Sequence, residues 1–398
     1  MGMRIDIDAS RHEAQFELAT QLACAARDDI VEICIGDVDV CPNRIVPIVG
    51  LADNLVSRGY DIRFVTVPYS AGERAVSGFG GRLNPSGPVG ETFGRVWRFD
   101  TPEEQYALVD AMVLELNKSA RLATGVRQCF DWSLNEVTDN VLNHSRPGGK
   151  AHGYVMTQFI MSENRLKVCV FDTGIGIRES FVGSKYAPRD SGEAIRMAIG
   201  RGVTNGKGQG NGLWGLHEMV KLGKYGKLHI RSAGAEYLYS PARGIESVRS
   251  ARELDGFGGT TMVDFQVVCS ESARLQDIFG ADYRPVDVWQ EAHEDSEGAL
   301  HVVVAELASG YGSRESAARV RHVVENAIDG DHRFVRLDFG GVTTCSSSFI
   351  DELLGKLIVK YGIVTYANMF KVENLKGLPA ALANIAVDQR YRDEVKGS

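Results

Sequence analysis

Apolar residues recur along residues 126–144 with the spacing of a helix: Val126, Phe130, Leu134, Val137 and Val141 share one face. Glu136, Asn140 and His144 repeat every fourth position at its edge, a slanting polar stripe. A solvated helix flank gives such a stripe, and so does a set of functional groups held against a core. Upstream, "IVEICI", "NRIVPIVGLADNLVSRG" and "DIRFVTV" predict strand, helix and strand over residues 30–67, with Pro47 restricting where the helix starts. Residues 70–95, glycine-rich with two prolines, read as a loop. "TPEEQYALVDAMVLELNK" predicts a helix with Thr101 as N-cap and Pro102 in the first turn.

After the striped helix, "GYVMTQFIM" and "RLKVCVF" predict strands, "GEAIRMAI" a helix, and "KLHIRS" and "TTMVDFQVV" two further strands. Seven glycines lie between residues 200 and 215. Helices beside strands that can pair as hairpins predict an α+β sandwich over residues 98–268. Residues 269–299, with the acidic "EAHEDSEG", read as a linker. The remainder, 300–398, predicts strand "LHVVVAEL", helix "SRESAARVRHVVENAI", strand "FVRLDF", helix "SFIDELLGKLIVKYG", strand "IVTYAN" and a last helix. That is a second small α/β unit, with the strand–helix–strand plan of residues 1–95.

A length of 398 residues suggests two or three domains, and 44% hydrophobic residues supply their cores. The formal net charge of −8 argues against nucleic acid or an anionic membrane as the main partner. Seven scattered cysteines without a CxxC pair indicate neither a zinc site nor a disulfide framework. No apolar run approaches membrane-spanning length, and the first residues lack a signal-peptide core. The expectation is a cytoplasmic protein that meets protein partners.

Candidate chemistry follows the striped helix in order. "VCVFDTGIGI" delivers Asp172 at the end of an apolar strand, then Gly174 and Gly176. "GKGQGNGLWGL" holds Lys207, Gly208, Gly210, Asn211, Gly212 and Leu213, and "GFGGTTMV" places Gly259 and Thr260 before a strand. Each stretch alone reads equally as a turn or a flexible loop. As a set they offer more. A carboxylate fixed beside a core accepts a hydrogen bond from an exocyclic amine such as that of adenine. Glycines let a flat ring approach the backbone. A glycine loop opening into a helix presents N–H donors to an anion. Asn140 offers an oxygen to Mg²⁺, and Glu136, one turn away, can orient or deprotonate a nucleophile.

The order E-x-x-x-N, D-x-G-x-G, G-x-G-x-G and G-T, over roughly residues 100–268, resembles the GHKL ATPases, the Bergerat fold of gyrases and histidine kinases. The resemblance implies a mixed sheet with helices on one face, with ATP and Mg²⁺ as cofactors. It implies adenine on Asp172, Mg²⁺ on Asn140, Glu136 as the catalytic group and residues 178–212 as a lid, with Lys207 near the γ-phosphate. "VRLDFGGVTTCSSSFIDELLGKL" resembles STAS-like domains, in which a strand ending in Asp leads to serines at a helix N-terminus. Here these are Asp338 and Ser346–Ser348, with Ser347 and Ser348 as candidate phosphoacceptors or, equally, helix-capping residues. Residues 1–95 resemble such a unit by element order alone. Three functions fit. The first is a regulatory ATPase acting on a STAS-like or other regulatory protein partner, or as a homodimer. The second is a serine kinase resembling anti-sigma-factor kinases, and the third a module that holds nucleotide without turnover. A histidine kinase would have to use His12, which no helical hairpin accompanies.

Overall fold

A computed structural model describes residues 2–11, 13–26, 30–36, 40–79, 92–144, 152–203, 211–223, 226–254, 256–283, 288–331 and 334–397. The chain divides into two compact units, residues 1–112 with 132–268, and residues 113–131 with 269–398.

The first unit begins with three parallel strands, β1 (Gly2–Ile7), β2 (Ile30–Ile35) and β3 (Asp61–Thr66), in the order β1-β2-β3. Helix α1 (Ala14–Leu22) and helix α2 (Pro42–Ser57) connect them. Strand β1 and helix α1 lie where the apolar pattern predicts nothing. Ile5 and Ile7 of β1 alternate inward while Arg4 and Asp6 stay exposed, the signature of a sheet covered on one face.

Helix α2 is apolar almost all round, and a helix of that kind belongs inside a core. Ile45, Val46, Ile48, Leu51 and Ala52 are fully buried. Their core also contains Ile5, Val31 and Ile33 of the small sheet and Tyr154, Cys169 and Phe171 of a larger one. Pro47 sits inside α2 rather than at its start. Interior proline costs a helix about 3 kcal/mol, which burial on this scale offsets.

The larger sheet has seven strands in the order β4-β5-β6-β10-β7-β8-β9. These are β4 (Trp97–Phe99), β5 (Gly153–Ile160), β6 (Arg165–Asp172), β7 (Lys227–Ser232), β8 (Ala235–Ser240), β9 (Ile245–Ser250) and β10 (Thr261–Val268). Within this sheet every pairing among the described residues is antiparallel, which corrects the expected mixed sheet. Helices on one face is corrected too. Cys169 and Phe171 of β6 join the α2 core, while the alternate Val168 and Val170 are equally buried on the opposite face.

Short α3 (Ala71–Val76) falls within the expected loop. Helices α4 (Pro102–Ser119) and α5 (Val126–His144) follow β4, and each contributes residues to the two units. Thr101 Oγ1 accepts the Glu104 N–H at 3.2 Å as an N-cap, and Glu104 reaches back to accept the Asp100 N–H at 2.7 Å. Helices α6 (Gly176–Ser180), α7 (Ser191–Ala198) and α8 (Gly212–Leu222) lie between β6 and β7.

The 269–398 part of the second unit opens with α9 (Leu275–Phe279) and α10 (Val288–His293), so the stretch read as linker carries helices. Asp295 Oδ1 accepts the N–H groups of Glu297 and Ala299, at 2.8 and 3.0 Å, and turns the acidic stretch into β11 (Leu300–Val303). Parallel strands β11, β12 (Val335–Asp338) and β13 (Phe370–Glu373) form a three-stranded sheet in that order. Between them run α11 (Val304–Leu307), α12 (Arg314–Asp331), α13 (Ser347–Ile350), a π-helical turn at Asp351–Gly355 and α14 (Lys356–Met369). Helix α15 (Gly377–Gly397) ends the chain. "IVTYAN", expected as a strand, belongs to α14, which passes through a non-helical Gly362 and yields to β13 only at Phe370. A short β-branched apolar run does not distinguish the two states.

No helix among the described residues is long and apolar enough to cross a membrane.

Candidate functional site

Helix α5 is anchored inside the first unit by polar contacts as well as by its apolar face. Gln105 Nε2 of α4 donates to Thr138 Oγ1 at 2.8 Å and to Asn135 Oδ1 at 3.1 Å. Ser133 Oγ meets Met219 Sδ of α8 at 3.1 Å. These contacts fix α5 against α4 and α8. Glu136 and Asn140 are half-buried. Burial, and then the nearby charge of Asp139, raises the Glu136 pKa above the usual carboxylate value.

Gly212, the first residue of α8, lies against that stripe. A Cβ there would stand 2.6 Å from Glu136 Oε2 and 3.4 Å from Asn140 Nδ2, so a side chain at this position would have to displace the Glu136 carboxylate. The start of α8 therefore meets a carboxylate and a carboxamide side by side. Asn211 precedes the helix without a side-chain cap, and its carbonyl accepts the Gly215 N–H at 2.7 Å. Asn211 and Leu213 are half-buried. Lys207, Gly208 and Gly210 lie outside the described residues, as does His12.

The second cluster gathers around the end of β6. Asp172 is only 8% exposed, and its Oδ1 accepts the Gly174 N–H at 2.7 Å. In register it stands between Gly153 of β5 and Thr261 of β10. Burial raises its pKa to about 7, opposed by hydrogen bonds from the Gly174 N–H and the Thr261 hydroxyl. A carboxyl poised between its two protonation states near neutrality, inside a core, is the kind of group that functional sites hold.

The turn after Asp172 packs onto the turn before β10. Gly176 has φ +80°, a conformation that favours glycine. A Cβ on Gly259 would fall 1.9 Å from the Ile175 carbonyl oxygen, so the two backbones are in direct contact. Thr260 is buried beside them.

Ser232, the last residue of β7, joins these turns, and the pattern of apolar and polar residues gives no sign of it. Its buried Oγ accepts the Ile177 N–H at 2.9 Å, and lies 3.2 Å from the Thr260 carbonyl and 3.1 Å from Thr261 Oγ1. Only the strand register, which pairs Ser232 with Thr261, exposes its role.

The serine run belongs to the second unit, and the structure separates its members. Ser346 caps α13, accepting the Phe349 N–H at 3.0 Å and donating to the Gly312 carbonyl at 3.0 Å. Ser348 is half-buried with its Oγ 2.9 Å from Ser346 Oγ, and Ser347 is exposed. Asp338, at the end of β12, accepts the N–H of Gly340 and an amide proton of Asn374, each at 2.7 Å.

Among the described residues, no group of three or more His, Cys, Asp or Glu side chains could hold a metal ion by itself. A cation here would take Asn140 and oxygens from a ligand, as Mg²⁺ does with phosphates.

No curated protein matches this chain. Residues 316–377 match the STAS-like domain of unknown function (DUF4325), a span that takes in most of α12 and runs through β12, α13, α14 and β13, so this part of the second unit is a STAS-like domain.

Proposed function

We propose that the first unit binds ATP with Mg²⁺ in the manner of the GHKL proteins, and that slow hydrolysis there regulates how the STAS-like domain meets a protein partner. The fit of Gly212 against Glu136 and Asn140 carries this reading, since it sets the start of a helix beside a carboxylate and a carboxamide. The Asp172 turn supports it, because a buried carboxylate held by two donors keeps lone pairs for an exocyclic amine.

The roles divide by chemistry. Asp172 selects the base. Asn140 holds Mg²⁺, which when bound neutralises phosphate charge. The first N–H groups of α8 face the phosphates. Glu136, with its raised proton affinity, takes the proton of the attacking water.

The test follows label from the γ-phosphate of ATP in the presence of Mg²⁺. Release as free phosphate, abolished in Glu136→Ala while ATP binding persists within about threefold, is expected. An E136A protein that hydrolyses ATP at the wild-type rate sinks the assignment. Label retained on the protein and lost in Ser347→Ala would replace hydrolysis with serine phosphorylation.

A further inference from the structure

Ser232 is joined to Asp172 through a single intermediate hydroxyl, and the hydrogen-bonding capacities of the groups fix the direction of each bond. The Ile177 N–H can only donate, and it donates to Ser232 Oγ at 2.9 Å. When ionised, the Asp172 carboxylate can only accept, and Thr261, opposite it in register, donates to it. Each hydroxyl has one proton. With Thr261's proton on Asp172, the proton in the 3.1 Å contact between Ser232 Oγ and Thr261 Oγ1 is Ser232's, shared with the Thr260 carbonyl at 3.2 Å.

We propose that Ser232 is a positioning residue of the nucleotide site, which ties down the far end of the Asp172–Ile177 turn and directs the Thr261 hydroxyl onto Asp172. This rests on the reading of Asp172 as the base-selecting group. The turn is held at its two ends: Gly174 N–H closes onto Asp172 itself, and Ile177 N–H closes onto Ser232, which reports back to Asp172 through Thr261. Such a chain polarises each bond toward the carboxylate. The groups that flank Asp172 in the sheet, Gly153 and Thr261, are uncharged, as is Ser232 beyond them. No charged side chain among the described residues contributes to its proton affinity. Removing the serine hydroxyl therefore acts on Asp172 through the hydroxyl chain rather than through a competing ion pair.

The consequence is measurable without nucleotide. In the full chain carrying ¹³C-labelled aspartate, with Asp172→Asn identifying the resonance, the Asp172 carboxyl is titrated by NMR. Ser232→Ala is expected to move its midpoint upward by about half a pH unit, roughly threefold in proton affinity. Thr261→Val is expected to move it further. The double variant should go no further than T261V, because Ser232 acts through Thr261. Ser232→Thr, which keeps the hydroxyl, should restore the wild-type midpoint and also guards against a folding defect in S232A. An S232A titration that superimposes on wild type, or shifts that simply add in the double variant, overturns the proposal. ATP affinity across the same pH range tests the reading beneath it: S232A should weaken binding chiefly near its shifted midpoint, whereas a structural defect weakens it equally at every pH. Wild-type protein that binds neither ATP nor ADP, with titrations that move as expected, would refute the nucleotide reading and leave the hydroxyl chain standing.

Discussion

Asp172 ends β6 and Asp338 ends β12, and in each case Oδ1 accepts the N–H of the glycine two residues on, at 2.7 Å. The sequences that do this, "DTG" and "DFG", are near copies, and each makes the turn that an aspartate after a strand favours. Their chemistry then diverges. Burial raises the Asp172 pKa to about 7. Asp338 is held below the usual carboxylate value by the Asn374 amide, the Gly340 N–H and His301, whose Nε2 lies 3.6 Å away. The local sequence sets the turn, and the surroundings set the proton affinity. Each aspartate stands between two strands, but Asp172 is buried in the larger sheet, whereas Asp338 lies in the STAS-like domain with polar partners.

Packing gives the largest test of that difference. Gly259→Ala would drive a methyl into the Ile175 carbonyl at 1.9 Å, a clash of backbone with backbone that no rotamer relieves. The expected cost is about 3 kcal/mol of stability, with loss of nucleotide binding. Gly340→Ala meets only the Asp338 carboxylate at 3.1 Å, and should cost less than about 1 kcal/mol. Urea unfolding compares them, and equal losses would mean that the Asp172 turn is no more tightly held than the Asp338 turn.

The next test is electrostatic, and the two aspartates carry opposite signs. Asp172 has a folded pKa of about 7, above the ordinary 3.8, so the native protein binds its proton more readily than the unfolded chain. Stability from this group is therefore full below about pH 4, is lost as pH rises to about 7 and stays lost above, a deficit of about 4 kcal/mol at pH 8. Asp172→Asn should recover about 1–3 kcal/mol at pH 8 and little at pH 4, while ATP affinity falls about tenfold or more. Asp338, with its pKa lowered, stabilises the fold near neutrality and loses that contribution as pH falls through its folded value. Asp338→Asn should therefore destabilise at pH 7 and leave ATP affinity unchanged. A D172N protein no more resistant to urea than wild type at pH 8 would place the Asp172 carboxylate in water.

The same contrast explains what could be read from the sequence. The striped helix, the strand that delivers Asp172, and the helix opening at Gly212 are legible because periodicity and glycine placement are local. That Gly212 touches Glu136 is not local, since it depends on how α8 packs on α5. Ser232 is less legible still: a serine ending "KLHIRS" is ordinary until the β7–β10 register sets it opposite Thr261. The misassigned "IVTYAN" fails for a related reason. Its β-branched residues suit a strand, yet the run continues α14 past Gly362 with Ile363 and Val364 exposed, so no sheet partner draws it into a strand there. Pro47 misleads because a local rule places it at a helix start, whereas a helix buried between two sheets absorbs its cost.

The smallest expected effect lies in the serine run, where the sequence shows three equivalent hydroxyls. Ser346 fills its capacity as an N-cap, accepting the Phe349 N–H and donating to the Gly312 carbonyl, each at 3.0 Å. Ser346→Ala should therefore cost about 1 kcal/mol of stability, the usual loss for a cap, measured by urea unfolding. Ser347 is exposed, and Ser347→Ala should leave stability within about 0.5 kcal/mol of wild type. A hydroxyl committed to a cap is a poor phosphoacceptor, because modification must first break the cap, whereas Ser347 keeps its hydroxyl in solvent. If protein-bound label appears in the γ-phosphate experiment, S347A should remove it and S346A should retain it. The reverse pattern would mean that α13 opens at its first turn before it is modified.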